Sequence, residues 1–72
     1  MHTKEDLIGN GELLAAVEAE LREVEKLIAQ HVDAKENPPK ATWDRYEDAV
    51  ASKVRLIQHY RRIVGDVYPE IG

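Results

Sequence analysis

Residues 43–67 read WDRYEDAVASKVRLIQHYRRIVGDV, and within them Trp43, Val50, Ile57 and Val64 recur every seven positions. Tyr46, Lys53, Tyr60 and Val67 hold the companion positions. Seven residues is close to two turns of helix, so side chains at this spacing line one side of it. Upstream, Leu14, Val17, Leu21, Val24, Ile28 and His31 fall alternately three and four residues apart. Pro38-Pro39 separates the two series. The spacing predicts an all-α protein: two amphipathic helices folded as an antiparallel helical hairpin with coiled-coil-like packing.

Local signals set the expected boundaries. Gly9-Asn10-Gly11 weakens any helix through backbone entropy, so residues 1–10 read as a flexible leader, with Thr3 able to cap only a short turn. Asn10 then suits the N-cap of a first helix over about 11–34, with Glu12 at the positive end of its dipole. Residues 35–41 read as the loop, because Pro39 pushes Pro38 out of the helical region. Thr42 is a candidate cap for a second helix over about 42–65, with Asp44 in its first turn. Arg61 and Arg62 suit that helix's negative end. Gly65 and Pro69 are stop signals, so the hairpin spans 11–68 and residues 69–72 form a tail.

Composition narrows the class. A chain of 72 residues holds one domain of nearly minimal core size, a size that often needs disulfides, a metal or a partner chain. Cysteine is absent, which removes disulfides and thiolate metal sites. The first residues show no basic segment followed by an apolar run, and no stretch approaches the ~20 apolar residues of a membrane span. The expectation is a cytoplasmic protein with no membrane partner. The net charge of −4 argues against non-specific nucleic-acid binding.

The apolar face of the second helix is too wide for one neighbour. Ala49, Val50, Leu56, Ile57, Ile63 and Val64 are flanked by Tyr46, Val54 and Tyr60, occupying more than the ~100° stripe one helix covers. Large exposed apolar patches mark interfaces. A homo-oligomer is therefore expected, a dimer forming a four-helix bundle, with Tyr46, Val50, Lys53, Val54, Ile57, Tyr60 and Val64 at the interface. Lys53 in this seam reads as a snorkelling stem or a polar residue that fixes register.

Charge is segregated, with acids dominating residues 5–36 and bases residues 40–62. A turn at Pro38-Pro39 would bring Lys53 within reach of Glu20 or Glu25, Arg61 near Glu12 or Glu18, and His31 level with Tyr46. Arg55, His59 and Arg62 form a basic stripe on the outward face of the second helix, with Arg61 beside it. Arginine suits phosphate and acidic protein surfaces, so this stripe is the candidate partner-binding site.

Catalytic signals are weak. Glu20-x-x-Glu23 with Asp44-x-x-Glu47 is similar in spacing to the carboxylates of helical metal-dependent nucleotide pyrophosphatases. Those enzymes need the carboxylates to converge on Mg2+ inside a larger bundle, and Asp44 and Glu47 are expected to point away from the core. His31 and His59 lie at opposite ends of the hairpin and make no ligand spacing. Thr3, Thr42 and Ser52 are the only Ser or Thr hydroxyls, with no base and acid arranged around them. No phosphate-cradling glycine motif occurs.

The sequence therefore points to a non-enzymatic protein acting through protein–protein contact, as adaptor, inhibitor or regulator, with no cofactor and no metal. In size and charge it resembles accessory proteins of phages and mobile elements. The alternative is an oligomeric binder of a phosphorylated small molecule or RNA through the basic stripe of the second helix.

Overall fold

The structure is a computed structural model that describes residues 1–70; the end of the expected 69–72 tail lies outside the described residues. Two α-helices, α1 (Lys4–Asp33) and α2 (Lys40–Val67), pack against each other as an antiparallel hairpin. Among the described residues there is no strand, and no helix is long and apolar enough to cross a membrane.

α1 starts at Lys4 and not near residue 11, because a better cap lies upstream. The Thr3 hydroxyl accepts from the Asp6 amide, and the Asp6 carboxylate accepts from the Thr3 amide at 2.9 Å, a reciprocal capping box. Gly9 and Gly11 are carried inside the helix at a cost of about 1 kcal/mol each relative to Ala. Asn10 between them is buried, and its Nδ2 donates to the Leu56 carbonyl at 3.3 Å. Asn10 therefore bridges the helices and caps nothing.

α1 ends in a Schellman turn: the Glu36 amide reaches the His31 carbonyl at 2.8 Å and the Lys35 amide that of Val32 at 3.0 Å. Lys35 adopts φ 58° for it, a position that favours glycine. α2 follows directly on Pro39, whose carbonyl accepts from the Thr42 and Trp43 amides. Pro39 has extended backbone at the N-cap, and no side chain caps this end. Thr42 thus lies in the first turn, half-buried, instead of capping it. Gly65 does not stop α2. Pro69 does, by keeping Tyr68 at the C-cap out of the helical region, with φ −128° and ψ 71°.

The hairpin register differs from the one expected. Glu20 binds Arg45, with Nη2–Oε1 at 2.7 Å and Nε–Oε2 at 3.2 Å, and not Lys53, about two turns further along α2. No ion pair joins Lys53 or Arg61 to α1 among the described residues. The cause is the linker. Pro38 in it is buried, and the pairs Asn10–Leu56 and Glu20–Arg45 place the point of reversal nearer the end of α1 than the prolines. His31 turns to its own helix, its Nδ1 lying 2.8 Å from the Leu27 carbonyl oxygen.

The core is thin. Val24 and Ile63 are fully buried and Ala49 nearly so, while Leu14, Val17, Leu21, Ile28, Leu56 and Ile57 are half-buried. The molecule measures 51 × 18 × 14 Å, with a radius of gyration of 16.1 Å. A compact chain of this length has a radius near ~11 Å.

Candidate functional site

A hairpin has two broad flanks, one on each side of the plane containing the helix axes. With about 100° of rotation per residue, each side chain can be assigned to the helix–helix seam or to one flank. Both flanks carry features suited to binding, of different chemistry.

The first flank is apolar. Along α2 it carries Trp43, Val50, Val54, Ile57 and Val64, and Trp43, Val50 and Val54 are 36–48% exposed. Trp43 packs edge-to-face on Tyr46 with ring centroids 6.2 Å apart. Together with Ile28, Ala29 and Val32 of α1 they border an open hollow of about 440 Å³. Tyr60, 43% exposed, and half-buried Lys53 sit where this flank meets the seam. Of the seven residues expected at an oligomer interface, Val50, Val54 and Tyr60 are exposed, while Tyr46, Lys53, Ile57 and Val64 are half-buried. Arg61 lies on this flank too, about 100° around the helix from Arg62, so it does not extend the basic stripe.

The second flank is mixed. Arg55 and His59 border a groove of about 400 Å³ floored by Leu13, Val17, Ser52 and Leu56. Arg55 Nη2 donates to Ser52 Oγ at 3.3 Å, which holds the guanidinium along the groove wall. Arg62 is exposed on the same side of α2. The stripe is not purely basic. Glu20, Arg45 and Asp48 border the continuation of the groove toward the loop, and Glu5 and Asp6 border it toward the termini.

At the terminal end the chain ties itself together. The His2 amide donates to Asp66 at 3.3 Å, its ring lies 3.6 Å from the Asp6 carboxylate, and it meets His59 edge-to-face at 4.9 Å. The Lys4 ammonium lies 5.9 Å from the centre of the Tyr68 ring. Among the described residues no three His, Asp or Glu side chains are arranged to hold a metal ion.

Two carboxylates titrate below their ordinary range. Asp6 is lowered first by the backbone hydrogen bond from Thr3, with His2 assisting. Glu20 is lowered by the hydrogen bonds from Arg45, whose own value is raised by the same contact. Both belong to structural contacts, the cap and the hairpin clasp.

Sequence reasoning missed Asn10 and His2. A signal for Asn10 was present, since Leu7, Asn10, Leu14 and Val17 extend the three–four spacing of α1 toward its start. Glycine on either side of Asn10 masked that signal. No local pattern in the sequence marks His2, whose partner Asp66 comes from the far end of the chain.

Comparison of the chain with protein-family models, curated proteins and solved structures gives no match. The functional argument therefore rests on the two flanks.

Proposed function

We propose that the protein is a non-catalytic interaction module. It self-associates through the apolar flank of α2 into a four-helix bundle and acts as an adaptor, inhibitor or regulator of another protein. The observation that carries this is the row Trp43, Val50, Val54 and Tyr60, large apolar side chains left in water along α2. Monomeric proteins rarely keep a contiguous patch of this kind uncovered.

The surface area agrees. The hairpin exposes 5469 Å². A compact folded monomer of this mass exposes about 4,500 Å². The excess of about 900 Å² reflects the elongated hairpin, 51 × 18 × 14 Å, which leaves both flanks open to partners. With the apolar flank occupied by a second copy, the mixed flank with Arg55, His59 and Arg62 is left for a partner protein. Acids at Glu5, Asp6, Glu20 and Asp48 along the same groove suit a protein surface of alternating charge better than a phosphate or an RNA backbone.

Light scattering at tens of micromolar tests the assembly. A dimer mass is expected for the parent, and a shift to monomer for Val50→Asp. A parent that stays a cooperatively folded monomer at that concentration refutes the proposal.

A further inference from the structure

The apolar row of α2 is symmetric under reversal. Positions 43, 50, 57 and 64 are placed evenly about the midpoint between Lys53 and Val54. If two copies of α2 run antiparallel about a two-fold axis at that midpoint, Val50 faces Ile57 of the other copy and Trp43 faces its Val64. Both facing pairs are apolar. The charges on the same flank agree: Glu47 borders the row near one end and Arg61 near the other, and reversal brings each beside its opposite. Within the chain, among the described residues, neither has an ion-pair partner.

We infer that a second copy of this chain covers the apolar flank with α2 antiparallel to α2, about a two-fold axis crossing the helices at Lys53–Val54, and with Glu47 of each copy paired to Arg61 of the other. This rests on the self-association proposed above and specifies its geometry. A two-fold interface uses the same patch on both copies, so the patch must complement itself; the apolar row does so in either direction, and Glu47 with Arg61 selects the antiparallel one. The competing bundle, with α2 of one copy against α1 of the other, uses neither the reversal symmetry nor the Glu47–Arg61 match. The antiparallel arrangement has a functional consequence. It leaves the Arg55–His59 grooves on opposite outer faces of the bundle, so the dimer presents two equivalent partner sites.

The chain contains no cysteine, so single introduced thiols report proximity directly. In the two-fold antiparallel pair, V54C lies next to its own copy. W43C and V64C are each about 30 Å from theirs, at ~1.5 Å per residue. Under mild oxidation V54C is expected to form a disulfide-linked dimer, while W43C and V64C each stay uncrosslinked. A mixture of W43C and V64C is expected to yield the mixed dimer. E47R and R61E should each weaken association several-fold, and the double change E47R/R61E should return it toward the parent value.

Self-crosslinking of W43C or V64C would mean parallel helices and overturn the geometry. A dimer mass by light scattering without V54C crosslinking would overturn it too, while leaving self-association standing. A monomeric parent overturns both. Circular dichroism of each variant separates loss of pairing from loss of folding.

Discussion

Replacing Asn10 by Leu should make this protein more stable, by about 2 kcal/mol. Asn10 is only 4% exposed, and its Oδ1 is buried without a hydrogen-bond partner, while Nδ2 donates to the Leu56 carbonyl. An orphaned buried acceptor costs about 1–3 kcal/mol, and a satisfied bond contributes about 1 kcal/mol. Leucine has nearly the shape of asparagine, removes the orphan, and adds apolar burial worth about 1.5–3 kcal/mol before imperfect fit is deducted. The Leu56 carbonyl lies inside α2, where the helix supplies its own donor. Urea unfolding followed by circular dichroism measures the change. Asn10→Ala serves as the control: it loses the bond and gains no burial, so it should be close to neutral or destabilising. A loss of more than about 1 kcal/mol in the leucine variant refutes the argument, since it would mean that Oδ1 is satisfied in solution. If stability rises while assembly becomes heterogeneous, Asn10 is fixing register in the way single buried polar residues do in coiled coils.

Ile63→Ala removes three carbons from a fully buried side chain, about 2.4 kcal/mol of transfer plus a cavity penalty. It should cost about 3–4 kcal/mol in urea unfolding, much of the total for a domain of this length, and a loss below ~1 kcal/mol would place the core elsewhere. Ile57→Ala, half-buried on the apolar flank, should cost less in the hairpin, and its cost should grow with protein concentration as assembly contributes. Lys35→Gly should stabilise by about 0.5–1 kcal/mol, because the φ of 58° is strained for lysine and free for glycine; a destabilised variant would show that the Schellman turn is absent in solution. Asp6 and Glu20 have lowered values in the folded chain, so their contribution is complete above about pH 4.5 and is lost as pH falls through the folded values. The melting temperature should fall as pH drops below about 4.5, and less steeply in Arg45→Gln; identical slopes would remove the Glu20–Arg45 clasp from the account.

How far the sequence carried can be traced residue by residue. The two helices and their antiparallel packing follow from periodicity, because burying one stripe of each helix is the dominant favourable term and leaves a three–four spacing at every turn. The boundaries did not follow as well. Glycine weakens a helix by about 1 kcal/mol, an amount comparable to what one good cap returns, so the Thr3–Asp6 capping box lets α1 start upstream of Gly9 and Gly11. Register was the least legible feature. It depends on how residues 34–39 leave α1, and no sequence rule anticipated that Pro38 would be buried. The shift exchanged Lys53 for Arg45 as the partner of Glu20 and left Arg61 without an ion-pair partner among the described residues. The surfaces suffered less from this error. Which side of a helix a residue occupies depends on its position along that helix and not on the neighbour's register, so the apolar row from Trp43 to Val64 keeps to one flank wherever α1 is placed. The same logic separates Arg61 from Arg62: adjacent in sequence, they lie about 100° apart, one beside the apolar row and one beside the groove. In the proposed dimer Arg61 would pair with Glu47 of a second copy, and Arg55 and Arg62 would be left to face a partner protein.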